Sequence, residues 1–224
     1  MVPAVAVLTS ELDPSLLEYL SGNHVDSVML GGGTIGPHRS SLRLDYEKGA
    51  VAAVRCLYNL GHREFVMIAG PQNRKSHIAY KTAIESAARA LDCRLRIVVG
   101  RNTIDSGSQA VREFITDSAV PTAILCSNDL TAVGAVRTLT GSGLRVPEHV
   151  SVVGLDDIPL AELMSPSLTT VHIPRHELGQ LAFSILHRML SGEIPAGIEA
   201  TLDSHLIVRG STGASRKVKF FKRR

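Results

Sequence analysis

The sequence predicts an α/β fold in which parallel sheets are covered by helices on both faces. Short runs are apolar throughout, as in Phe65-Val66-Met67-Ile68-Ala69, and a strand buried on both faces reads this way. Those runs alternate with stretches whose apolar residues recur at helical spacing, as in Ala50, Ala53, Val54 and Leu57, which is the pattern of βαβ units. The chain has 224 residues, 44% hydrophobic and 20% charged, enough for one domain or two small ones with a real core.

Taken in order, 5–8 reads as a strand and 14–20 as a helix, with Asp13 as its cap and Pro14 at its first position. A second strand is expected at 25–30. The helix carrying Ala50 to Leu57 closes at Gly61, and the strand 65–69 ends in a Gly70-Pro71 turn. Helix 76–91, strand 95–99, helix 105–116 and strand 122–126 follow. Asn128 or Asp129 caps a helix that runs to about Thr140 and ends in Gly141-Ser142-Gly143. After a strand at 150–153, Pro174 opens an amphipathic helix with Leu178, Leu181, Ala182, Ile185, Leu186 and Met189 on one face. A last strand is expected at 206–208.

The formal net charge is +3, but the last nine residues carry six positive charges, which leaves the rest at −3. A nucleic-acid binder of this size is expected to show a basic face within its fold, and none is evident. Three cysteines (Cys56, Cys93, Cys126) without CxxC spacing argue against a disulfide framework and for a reducing compartment. No apolar run approaches the roughly 18 residues of a membrane span, and the amino terminus does not resemble a signal peptide.

Several constellations invite chemistry and do not sustain it. Gly31, Gly33 and Gly36 form a literal GxGxxG. A dinucleotide site needs those glycines to open a helix, whereas Pro37-His38-Arg39-Ser40-Ser41 follows without helical period, so a flexible loop is expected. His172 and His176 are four apart with Pro174 between them, which prevents a shared helical face for a metal. No serine sits in a GxSxG elbow. Two polar pairs are better placed: Asn128-Asp129 after the strand 122–126, and Asp156-Asp157 after Val152-Val153-Gly154-Leu155. In doubly wound sheets ligands lie at the carboxyl ends of strands. One member of each pair is therefore expected to meet a ligand, or to cap a helix instead.

Five segments, in order, resemble the lactose/galactose-repressor (LacI/GalR) family. They are Asp45-Tyr46-Glu47-Lys48-Gly49-Ala50 running to Ile68-Ala69-Gly70-Pro71; Pro121-Thr122-Ala123-Ile124-Leu125-Cys126-Ser127-Asn128-Asp129; Gly143-Leu144-Arg145-Val146-Pro147 running to Asp156-Asp157; Ser167-Leu168-Thr169-Thr170-Val171; and Leu206-Ile207-Val208-Arg209-Gly210-Ser211-Thr212. The resemblance implies two doubly wound parallel-sheet subdomains of the type I periplasmic-binding-protein-like fold, with a small ligand in the cleft. It implies an incomplete amino-terminal subdomain over 1–62 and 173–197, a carboxy-terminal subdomain over 63–172 and 198–213, and a basic tail at 214–224. Crossovers are expected near Gly61-His62, His172-Ile173 and Ile198-Glu199.

The same resemblance implies a cytoplasmic regulator that is homodimeric in its full-length form and uses no cofactor. It would meet operator DNA only through a headpiece that does not occur in this sequence. Asn128 and Asp156 match family ligand positions. Tyr80 stands where the family often has an arginine, Asn102 where an aromatic often stacks, and Arg74 and Ser76 at positions that contact ligand in some members. The function implied is sensing of a small polar metabolite, such as a sugar, and not catalysis. The alternative is a stand-alone solute-binding protein.

Overall fold

The computed structural model describes residues 3–7, 14–31, 35–117 and 120–215. The expected cap Asp13, the loop glycine Gly33, and the tail 216–224 with Phe220 and Phe221 lie outside these residues. In chain order the elements are β1 (Ala4–Val7), α1 (Pro14–Gly22), β2 (Asp26–Leu30), β3 (Arg39–Asp45), α2 (Glu47–Asn59), β4 (Glu64–Ala69), α3 (Lys75–Ala90), β5 (Arg94–Val99) and α4 (Ile104–Thr116). Then come β6 (Ala123–Cys126), α5 (Asp129–Gly141), β7 (Ser151–Asp156), α6 (Pro159–Leu163), β8 (Thr169–His172), α7 (Arg175–Leu190), β9 (Glu199–Asp203) and β10 (His205–Ile207). Among the described residues no helix is long and apolar enough to cross a membrane.

The chain divides into two compact units, one made of Met1–Asp45, Arg74–Ser76 and Pro174–Ser204, the other of the remainder. The first holds a parallel sheet in the order β1-β2-β3-β9. The stripe read from α7 packs on it: Leu178, Ala182, Ile185 and Met189 join Val28 and Leu42 in one core. Leu181 and Leu186 are partly buried against the same cluster.

The loop expected after Gly36 is short: Gly36 bridges to Arg39, and β3 begins there. This strand was hidden because polar residues line its inner positions. Ser40 and Ser41 are buried, and the Ser40 hydroxyl accepts a bond from the Ile198 amide. In a buried strand a serine is tolerated best when its hydroxyl finds a partner, as Ser40 does, whereas the buried Ser41 hydroxyl has none in the structure.

The second unit holds a sheet in the order β10-β8-β7-β6-β4-β5, parallel except for β10. Alternate side chains enter opposite faces. Val66, Ile68, Ile124, Cys126, Val150 and Val152 share a core with Ala110, Val111 and Phe114 of α4 and Ala132, Ala135, Val136 and Leu139 of α5. Phe65, Met67, Leu125 and Val153 alternate with them and are equally buried, as are Ala53, Val54 and Leu57 of α2.

Two of the expected boundaries move. Helix α2 packs on β8 and β10, so 46–62 belongs with the second unit. His62 is 1% exposed in that unit and is a core residue there. Its Nε2 lies 3.1 Å from the Gly213 carbonyl, which can only accept, so Nε2 carries the proton. Nδ1 then accepts from the Thr122 hydroxyl at 3.0 Å. Strand β9 pairs with β3, which keeps 199–203 in the first unit. Ser215, expected in the tail, donates its amide to the Leu60 carbonyl at 2.7 Å.

Helices α4 and α5 cross at two glycines. A Cβ on Gly107 would overlap the Thr131 carbonyl, and one on Gly134 the Ile104 carbonyl. The Ser108 hydroxyl donates to the Gly134 carbonyl at 3.2 Å across the same contact.

Candidate functional site

In the second sheet the chain passes from β4 outward to β5, then returns to β6 on the other side of β4. Such a reversal opens a crevice outside the carboxyl ends of the strands. The segments that follow β4, β5, β6 and β7 bring polar residues there, and they are hydrogen-bonded to one another.

Asn102 is the centre of this group. Its backbone is left-handed (φ 60°), a conformation that asparagine adopts more readily than most residues. Its Nδ2 donates to His77 Nε2 at 2.8 Å and its Oδ1 accepts from the Ser127 hydroxyl at 2.6 Å. Its backbone carbonyl accepts from Asn128 Nδ2 at 3.1 Å. Because His77 Nε2 accepts, the ring proton lies on Nδ1, which faces the Pro71 carbonyl at 3.2 Å. Gly70 lets these groups close: a Cβ there would stand 2.6 Å from Asn102 Oδ1 and 2.9 Å from His77 Nδ1.

The choice left open between Asn128 and Asp129 is settled by geometry. Asn128 is the cap of α5, its Oδ1 accepting from the Thr131 amide at 2.9 Å. Asp129 points inward and is 1% exposed. Its carboxylate accepts from the Thr170 hydroxyl at 2.6 Å and the Ile158 amide at 2.9 Å.

The second acidic pair divides in a similar way. Asp157 accepts from Arg209 Nη2 at 2.7 Å and meets His172 Nδ1 at 2.8 Å. Burial pushes its carboxyl up, but the bonds from Arg209 and His172 outweigh burial and hold it below the usual carboxylate range. Asp156 ends β7 half-buried. Both acids have left-handed backbones, with φ 117° and 53°, and consecutive strained residues of this kind concentrate at functional sites.

Tyr80 is 1% exposed, so its ring belongs to the core. Its hydroxyl has no hydrogen-bond partner in the structure. Burial first, then the nearby Cys126, Asp129 and Asp156, pushes the phenol far above its ordinary value. Arg74 is exposed and Ser76 half-buried at the start of α3, and both fall in the first unit. The second unit thus groups Asn102 and Asn128, with Tyr80 in electrostatic reach of Asp156. Sequence reasoning missed His77 and Ser127. Ser127 carried a usable signal, as a polar residue directly after an apolar strand. His77 was one of nine histidines and had none.

No group of three or more His, Cys, Asp or Glu able to hold a metal occurs among the described residues. The candidate site presents a surface of amides, hydroxyls and carboxylates. Such a surface offers both donors and acceptors to a polar, uncharged ligand.

Two sheets with helices between their strands, and polar strand-end residues at a reversal, define a periplasmic-binding-protein-like α/β protein. Residues 35–212 match the family described as periplasmic binding protein-like domain. The chain belongs to this family, in the form found as the effector domain of LacI/GalR-type transcriptional regulators.

It is similar to the HTH-type transcriptional repressor CytR of Escherichia coli K12, 33% identical over 178 residues, covering 78% of this chain and 52% of CytR. A transcriptional regulator CelR–cellobiose complex superposes with a TM-score of 0.81 at 31% identity, covering 93% of this chain and 65% of that one. A LacI family transcriptional regulator from Arthrobacter sp. FB24, in complex with lactose, gives a TM-score of 0.82 at 28% identity, covering 95% and 80%. The chain spans about half the length of CytR.

Proposed function

We propose that this chain is the ligand-sensing part of a transcriptional regulator and binds a small, uncharged, hydroxyl-rich metabolite at the carboxyl ends of the second sheet. The single observation that carries this reading is the Asn102–Ser127–Asn128 hydrogen-bonded group, with Asp156 ending the strand beyond it. Asp156 and the second amide proton of Asn128 would hold ligand hydroxyls. Asn102 would orient Asn128, and Tyr80 would form the floor. Arg74 and Ser76 stand as contacts on the family resemblance. Two of the similar structures hold cellobiose and lactose, which supports a saccharide as the first class to test.

The reading is of a binding protein, not an enzyme, and its relatives are regulators. Cytoplasmic residence, homodimerisation and action on operator DNA through a separate headpiece belong to the same proposal. A ligand would act by binding one conformation more tightly than another, and its effect is limited by that difference.

The test is calorimetric titration of the chain with mono- and disaccharides and nucleosides. Saturable binding that Asp156→Ala abolishes supports the reading. Binding that survives both Asp156→Ala and Asn128→Asp removes these residues from the site.

A further inference from the structure

We propose that the groove between α4 and α5 is a second ligand site, one that takes the phosphoryl group of a small molecule. Alongside the Gly107–Gly134 crossing, α4 from Asp105 to Arg112 and the last turns of α5 border a cavity of about 390 Å³. That lies within the roughly 300–1,000 Å³ range of small-ligand sites. Arg112 reaches it from α4 and Arg137 from α5. Neither guanidinium makes a hydrogen bond or an ion pair with any described residue.

Two like charges converge on one cavity and gain nothing from each other. An oxyanion between them resolves this, because each guanidinium presents a planar fork suited to two phosphate oxygens. The hydroxyls of Thr138 and Ser142 line the same space and have no described partner. They supply donors of the kind a phosphoryl oxygen accepts. The one acid in the lining, Asp105, lies seven residues before Arg112, about 10 Å along the helix axis. Asp105 therefore stands at the opposite end of the α4 side of the groove from Arg112. The glycine crossing fixes the spacing of the two arginines, since neither helix can slide without a carbonyl clash.

This site stands apart from the Asn102 group, so it succeeds or fails independently of the proposed function. The test follows backbone amide shifts of Thr138 and Ser142 by NMR in the full chain. It titrates inorganic phosphate and glycerol 3-phosphate, with glycerol and sodium chloride at matched ionic strength as controls. Saturable shifts with both phosphates and none with glycerol or chloride are expected, and the apparent Kd weakens at least tenfold in Arg112→Gln and in Arg137→Gln.

Both arginines are exposed, and a thermal melt confirms that the variants fold. Tighter binding of glycerol 3-phosphate than of free phosphate assigns the site to phosphomonoesters, and the reverse order assigns it to the free ion. Three results would overturn the proposal: no saturable shift with either phosphate, equal shifts with chloride, or a Kd within twofold of wild type in both variants.

Discussion

Gly154 exists to make room for the Asp129 carboxylate: a Cβ at Gly154 would overlap Asp129 Oδ1 and stand 2.9 Å from Leu168 Cδ2. The carboxylate is buried and already bonded to Thr170 and Ile158, so it has no other place to go. We expect Gly154→Ala to destabilise the protein by about 1–3 kcal/mol, the usual cost of overpacking. Gly141, with nothing within 4 Å of its Cβ position, is the control. There Ala is expected to be neutral or to stabilise by roughly 0.5–1 kcal/mol, the helical preference over glycine. Urea midpoints of the two variants check both.

Asn128 joins a structural and a recognition role, and the two can be separated. Asn128→Ala removes the α5 cap and is expected to cost about 1 kcal/mol. Asn128→Asp keeps the capping oxygen and loses the amide donor to the Asn102 carbonyl. Stability should therefore fall more in the alanine variant, while saccharide affinity falls in both. Chemical denaturation and calorimetry on the same samples give the comparison.

Acid should lower the stability of the protein over two pH windows. Burial lowers the affinity of His62 for a proton, and Arg63 adds to this, against the opposing bond to the Gly213 carbonyl. A folded-state pKa below the ordinary 6.5 means that the unfolded chain binds more protons there. The stability present above 6.5 is then lost as the pH falls through the lower folded value. Asp157 follows the same sign at lower pH: its contribution holds above 3.8 and is lost as the carboxyl protonates below it. Melting temperatures from pH 8 to about 2 should show both slopes. His62→Gln should flatten the first and Asp157→Asn the second.

The Tyr80 hydroxyl is a buried donor without a partner. Removing it takes away a desolvation penalty, so Tyr80→Phe is expected to leave stability unchanged or raise it by about 1 kcal/mol. A loss of stability in a thermal melt would show that an ordered water holds the hydroxyl.

Much of this fold could be read from the pattern of apolar residues. The runs at β4, β6 and β7 and the stripe of α7 are dictated by burial, and burial writes itself into residue type. Strands β3 and β9 were less legible, because Ser40, Ser41 and the alternating Glu199–Asp203 carry little apolar signal. Their pairing is set by tertiary partners. Of the candidate site, Asn128 and Asp156 were visible as strand-end polar residues. The role of His77 was not, because it depends on a bond to Asn102, 25 residues away. Tyr80 shows the opposite difficulty: a polar atom in the sequence became a core ring in the fold.

The closing segment of the second unit has a consequence for how the chain reaches this structure. β10 pairs with β8, and 211–215 returns to Val152, Ser151, His62 and Leu60. The His62–Gly213 contact spans 151 residues. Because synthesis runs from the amino terminus, 205–215 is made after the first unit's α7 and β9, and it completes a core begun with α2. Contacts of such long range slow folding, so the core of the second unit is complete only once 211–215 has been made.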